Sequence, residues 1–114
     1  MPSPNLHYGI FVLLRALPAW LALPRSERAK IGEAAFAEAF ASGTVRMRHF
    51  DAEAFSGRCS DIAFLETDTL SDYYFAMERL RDTPIFAHPY FELIDIVPAI
   101  EDGYRAFEAG EAAA

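Results

Sequence analysis

The sequence predicts an α+β fold, a four-stranded antiparallel sheet with two helices on one face, and three observations lead there. Segments of alternating apolar residues and segments of helical spacing succeed one another in the order β-α-β-β-α-β. The predicted strands are apolar on both faces, so both faces of the sheet need a cover. The chain has 114 residues, 53% of them hydrophobic and 14% aromatic, which suits one domain with an ordered core over about residues 6–107 and rules out disorder over most of its length.

The first strand runs from His7 to Arg15. Tyr8, Ile10, Val12 and Leu14 share one side, and His7, Phe11 and Leu13 the other, with Gly9 between them. Residues 1–5, with Pro2 and Pro4, read as a loose lead-in. ALPAWLALP then forms a connector, because Pro18 and Pro24 interrupt any longer helix. From Arg25 to Ser42 the pattern turns helical, with Ala29, Gly32, Phe36, Ala39 and Phe40 as its stripe and Gly43 placed for a left-handed end.

Thr44 to Phe50 is the second strand, setting Val45, Met47 and His49 against Arg46, Arg48 and Phe50. After a connection that turns at Gly57, Cys59 to Glu66 forms the third, with Ile62 and Phe64 opposite Asp61, Ala63 and Leu65. Ser71 is the expected cap of a second helix that buries Tyr74, Met77 and Leu80, with Leu70 and Phe75 as its hydrophobic staple. Pro84 ends that helix. Tyr90 to Val97 is the fourth strand, with Ile94 and Ile96 opposite Phe91, Leu93 and Asp95. Ile100, Tyr104 and Phe107 suggest a short C-terminal helix, frayed over 109–114.

This order is the ferredoxin-like split βαβ arrangement. Its helices cover one face only. The other is expected to carry Phe11, Leu13, Phe50, Leu65, Phe91 and Leu93, an apolar patch too large to leave in water. A second copy, related by a two-fold axis, is the simplest cover, so the expected partner is the chain itself, as a homodimer whose sheets pack into a shared barrel.

The net charge of −7 argues against nucleic acid or an anionic bilayer as partner. The single cysteine, Cys59, permits no internal disulfide and fits a reducing compartment. Arg15, Pro18 and Pro24 break up the apolar run at 8–24, and no positive segment precedes it, so the expected location is cytoplasmic.

Four stretches, LPAWLALPRSERA at 17–29, RHFDAEAFSGRCSDIAF at 48–64, SDYYFAMERLRDT at 71–83 and PYFELIDIVPAIEDGYRAF at 89–107, together resemble the darcynin family. The resemblance implies kinship with the dimeric α+β barrel group. That group includes cofactor-independent monooxygenases, muconolactone isomerase-like enzymes and haem-binding chlorite dismutase relatives. The family supplies no catalytic residues to carry over, and the group is a fold-level analogy.

The residues themselves offer three constellations. His49, Asp51 and Glu53 alternate, as a general base with its orienting carboxylates or a weak metal site would, or as a strand end running into a solvated acidic loop. The histidines form no H-x-H or H-x-x-x-H pair and no CxxC is present, so no bound metal is expected. Arg46, Arg48, Asp61 and Asp95 are expected together on the face away from the helices, as an anion site or as ion pairs that fix strand register or join the dimer. Trp20, Tyr73, Tyr74, Tyr90 and Tyr104 could wall a pocket for a flat ligand or simply fill the core.

The expected function is that of a small enzyme acting on an aromatic or enolisable molecule, monooxygenase- or isomerase-like and without a tightly held metal. His49 would be its acid or base, Trp20, Tyr73 and Tyr74 its walls, and Arg48 and Asp61 its polar anchors. The alternative is a non-catalytic ligand-binding or interaction module. No cofactor is expected; haem, held by a histidine or tyrosine, is the weaker option.

Overall fold

The computed structural model describes residues 5–113, and the loose lead-in expected at 1–5 falls outside that range except for Asn5. The elements are β1 (Tyr8–Ala16), α1 (Pro18–Leu21), α2 (Arg25–Ala39), β2 (Arg46–Asp51), β3 (Asp61–Thr67), α3 (Leu70–Arg81), α4 (Pro84–Ala87), β4 (Phe91–Ile100) and α5 (Gly103–Ala113). All pairings are antiparallel, in the order β2-β3-β1-β4. The predicted ferredoxin-like arrangement is the observed one.

β1 sits at the centre, and its register decides which side chains face the helices. Ile10 pairs with Leu65, Val12 with Ala63 and Leu14 with Asp61. Directly opposed residues share a face, so Leu65, Ala63 and Asp61 lie on the helix side with Ile10 and Val12. On the other side Phe11 pairs with Phe64 and Leu13 with Ile62. The expectation that Asp61 and Leu65 point away from the helices is therefore overturned. Both faces of β3 are apolar, so alternation alone cannot choose between them; only the pairing with β1 does.

A second correction concerns β4. Val12 pairs with Ile96 and Leu13 with Asp95, yet Leu14 pairs with Leu93. One extra residue, Ile94, enters there as a bulge and shifts the alternation. Phe91 and Leu93 thus join Ile96 on the helix face rather than the outer face, and Phe91 is buried. Asp95 stays outside with Arg46 and Arg48.

The core forms between sheet and helices, from Ile10, Val12, Leu65, Ala35, Ala39, Ala76, Met77 and Leu80 among others. Small residues on α2 and α3 let these helices approach, and the Arg79 guanidinium bonds the Ala39 carbonyl at 3.0 Å to tie one to the other. Gly43 adopts the expected left-handed conformation, φ 75°, after α2. α3 begins at Leu70, one residue before the expected cap, and Thr69 flanks it without a side-chain cap bond. Leu70 and Phe75 are both exposed and form no staple, and Tyr74 is exposed instead of buried. The prolines expected only to interrupt helices also start two of them, Pro18 in α1 and Pro84 in α4, where a missing N–H is harmless.

The outer face is as apolar as the sequence suggests, though with different members. Phe11, Leu13, Phe50, Ile62, Phe64 and Val97 lie there. The Phe11 and Phe64 rings pack in a tilted arrangement with centroids 4.7 Å apart, and Arg48 lies over Phe64 at 4.9 Å. A Cβ on Gly9 would stand 2.9 Å from the Phe64 ring, so only glycine lets that ring lie across β1. α5 continues to Ala113, beyond the expected fraying point, with Tyr104 and Phe107 exposed. The radius of gyration, 16.5 Å, exceeds the roughly 13 Å of a compact chain this long. The longest dimension is 57 Å.

Leu65 is 1% exposed, and Leu65→Ala is expected to cost about 2–5 kcal/mol in urea unfolding. A loss below about 1 kcal/mol would contradict its place on the helix face.

Candidate functional site

A cleft of about 640 Å³ opens between the sheet and the α1–α2 segment. Its apolar wall includes Trp20, Phe36, Met47 and Phe91, and His49, Asp51, Glu53 and Asp61 gather at its polar end.

Local structure explains each position. His49 lies on β2 opposite Ala63, two residues along from Met47, and so on the helix side. Asp61 opens β3, where Ser60 anchors the chain. The Ser60 amide donates to the Leu14 carbonyl at 2.9 Å, and the Ala16 amide donates to Ser60 Oγ at 2.7 Å. Ser60 Oγ in turn donates to Asp61 Oδ2 at 2.6 Å. On the opposite wall, Arg28 holds α1 in place. Its Nε donates to the Trp20 and Leu23 carbonyls, each at 3.1 Å, and its Nη2 to Leu21 at 2.8 Å. These bonds satisfy carbonyls at the end of a helix too short to cap itself. Trp20 then packs on Tyr90 and Phe91, with ring centroids 5.4 and 4.9 Å away.

The central contact joins His49 Nε2 to Asp61 Oδ1 at 2.7 Å, with Asp51 Oδ1 3.8 Å from the same nitrogen. An ionised carboxylate only accepts, so Nε2 carries the proton and the neutral ring keeps its lone pair on Nδ1. The Asp61 hydrogen bond raises the imidazole pKa above its ordinary 6.5 against the opposing effect of burial, with the charges of Asp61, Asp51 and Glu53 adding to the rise. Burial pushes the Asp61 carboxyl up, but the bonds from His49 and Ser60 outweigh it and hold the group below its ordinary 3.8.

The expected alternation of His49, Asp51 and Glu53 does deliver all three to one site, although β2 ends at Asp51. Trp20 and Asp61 join them. Arg48 does not, because it lies on the outer face, 3.6 Å from Glu66. Tyr73 and Tyr74 also stand outside the cleft, Tyr73 half-buried against the core and Tyr74 exposed beside Phe75. The proposed Arg–Asp quartet is not one cluster: Asp61 is on the other face, and Asp95 is 3.7 Å from Arg58. Phe36, Phe91 and Ser60 were not singled out from the sequence. Phe36 was legible in the α2 stripe, whereas nothing local marks Ser60 or corrects for the β4 bulge.

His49, Asp51 and Asp61 each offer a ligand atom within 4.8 Å of the others, a spacing a divalent cation could bridge. As they stand, His49 and Asp61 bond each other, and Asp51 lies 3.8 Å from the imidazole. A second imidazole–carboxylate pair, His7 with Asp68 at 2.7 Å, borders a smaller hollow of about 390 Å³ whose lining has no phenylalanine, tyrosine or tryptophan. No helix among the described residues is long and apolar enough to cross a membrane.

The fold, with its cleft between helices and sheet, places the chain among ferredoxin-like proteins of the α+β barrel type. A haem-binding protein from Thermus thermophilus shares the fold at a TM-score of 0.73, with 18% identity over 93% of this chain and 44% of that one. A chlorite dismutase from Candidatus Nitrospira defluvii does so at 0.67, with 16% identity over 84% of this chain and 40% of that one. The chain thus spans less than half the length of either. Its own family is Darcynin, a domain of unknown function whose pattern matches residues 1–114, and the chain belongs to it. A Darcynin from Chromobacterium violaceum is 55% identical over 65 residues, 57% of this chain and 82% of that protein. Darcynin 1 from Acinetobacter baumannii is 43% identical over 90 residues, 78% of this chain and the whole of that protein.

The two pKa shifts set a pH window. The raised His49 value gives stability that is complete below pH 6.5 and lost as pH rises through the folded value. The lowered Asp61 value gives stability present above 3.8 and lost as pH falls through the folded value. The stability difference between wild type and Asp61→Asn is expected to peak between 3.8 and 6.5 and shrink on either side. Urea unfolding across this range checks it, and NMR titration of His49 should show its pKa falling in Asp61→Asn.

Proposed function

We propose that this chain is a small cytoplasmic enzyme that moves a proton on an aromatic or enolisable molecule bound in the cleft, as an isomerase or a cofactor-independent monooxygenase does in its first step. The observation that carries this reading is the 2.7 Å bond from His49 Nε2 to Asp61 at the end of an aromatic-walled cleft. Nδ1 takes a proton from carbon next to a carbonyl, leaving an enolate and an imidazolium. Asp61 orients the ring and, with Asp51 and Glu53, offsets the new positive charge. Trp20, Phe36 and Phe91 hold a flat substrate and exclude water from one side.

Haem fits this cleft poorly. The cleft's one imidazole, His49, is 40% exposed at the acidic end, not seated in an apolar wall, and its Nε2 is engaged. Asp51, Glu53 and Asp61 beside it oppose the propionate groups of a haem bound there. Added haem is expected to keep the Soret band of free haem, with no shift or sharpening in the presence of the purified protein.

The test of catalysis is deuterium incorporation from heavy water into a panel of neutral aryl ketones, followed by NMR. His49→Ala is expected to slow exchange by about 10²–10⁴-fold, with Asp61→Asn intermediate. Exchange that survives His49→Ala would overturn the assignment and leave a binding module.

The assembly we propose is a two-fold dimer through the outer sheet face. Four strands about 4.8 Å apart and about seven paired residues long present roughly 440 Å² in projection, against the ~800 Å² per partner of a stable interface. The sheet is then the centre of the contact, and α5, which leaves Tyr104 and Phe107 exposed, extends it over the second copy. Phe64→Asp is expected to give monomers in sedimentation, and Tyr104→Ser with Phe107→Ser a weakened dimer. A monomeric wild type would sink the proposal.

A further inference from the structure

We propose that the cleft selects ligands that join an aromatic ring to a positive charge, an arylalkylammonium, with the ring against Trp20 and Phe36 and the cation at the carboxylates around His49. The inference rests on the cleft being the binding site and adds its charge selectivity.

Four carboxylates line the cleft, Glu33, Asp51, Glu53 and Asp61, against two guanidinium groups, Arg25 and Arg28. Arg28 is committed to the carbonyls of Trp20, Leu21 and Leu23, so it serves α1 rather than a ligand. Among the described residues, no arginine or lysine forms an ion pair with the carboxylates at the His49 end. Asp51 has no ion pair but the 3.8 Å contact with His49, and Glu53 has none among the described residues. Both therefore keep free lone pairs. An ammonium group brings three donors and a full charge to these oxygens, whereas a ligand carboxylate meets like charge. The walls supply the second half of the recognition. Trp20, Phe36 and Phe91 offer flat apolar area for a ring, and an indole face also attracts a nearby cation. The same field acts on the ionisable group already present: the Asp61 hydrogen bond, then the Asp51 and Glu53 charges, favour the imidazolium form of His49.

Trp20 is the only tryptophan in the chain, so its fluorescence reports on this cleft directly. The experiment titrates the dimeric or monomeric protein as purified with three probes of one shape: 2-phenylethylamine, 2-phenylethanol and 3-phenylpropionate. At neutral pH and low salt the amine is expected to bind about tenfold more tightly than the alcohol, with the acid weakest, since each exposed ion pair contributes about two- to fivefold. The preference should shrink with added salt. It should fall to about twofold or less in Asp51→Asn/Glu53→Gln, a pair of exposed substitutions whose folding is verified by circular dichroism. Equal or tighter binding of the acid or the alcohol, or no saturable response to the amine, overturns the proposal. The catalytic reading fails separately. If exchange survives His49→Ala while the amine preference holds, the cleft is a cation-selective binding site and His49 is not its base.

Discussion

A sheet whose central strand is apolar on both sides is the constraint on which everything else depends. β1 puts Ile10, Val12 and Leu14 under the helices and Phe11 and Leu13 on the far side, and both sets need a cover. The helix side finds its cover within the chain. The outer side does not, and Phe11, Phe50 and Val97 remain exposed. The same pairing that places Leu65 in the core also brings Asp61 to the helix side opposite Leu14, at the mouth of the cleft. Core register and site geometry are therefore one fact. A one-residue slip of β3 against β1 would expose Leu65 and carry Asp61 away from His49.

The fold was legible in the sequence because its signals are strong and local. Alternation marks the strands, Gly43 marks the end of α2, and the order of elements leaves few topologies. Which face of a strand is inside was less legible, and the reason is physical. Ile62 and Phe64 are as apolar as Ala63 and Leu65, so hydrophobicity is degenerate between the two phases. β2 shows the contrast: Arg46 and Arg48 alternate with Met47 and His49, and there the polar side identifies itself. In β4 a bulge at Ile94 breaks the period in mid-strand, a feature that depends on pairing with β1 and leaves no local mark.

The candidate site divides along the same line. His49, Asp51 and Glu53 come from one short segment and were readable as a group. Asp61 was readable as a charged residue in an apolar strand, but not as the partner of His49, because that partnership crosses two strands. Tyr73 and Tyr74 misled for a simple reason: an aromatic residue on a helix of known period still has several surfaces to choose from. Tyr74 is exposed and does not line the cleft, and burial of Tyr73 against the core uses its ring for packing.

The His49–Asp61 bond links stability to chemistry in a particular way. An imidazole held by a carboxylate is a stronger base than a free one, yet at lower pH it is already protonated and cannot accept a proton. The three carboxylates at this end of the cleft thus narrow the pH range in which His49 is neutral while strengthening it there. A bound cation shifts that balance. Its charge opposes imidazolium formation, so a positively charged ligand beside Asp51 and Glu53 returns His49 to its neutral form at a lower pH than in the empty cleft. The carboxylates that would hold such a ligand are the ones that raise the His49 pKa, so in the proposed reading binding would extend to lower pH the range in which His49 can receive a proton.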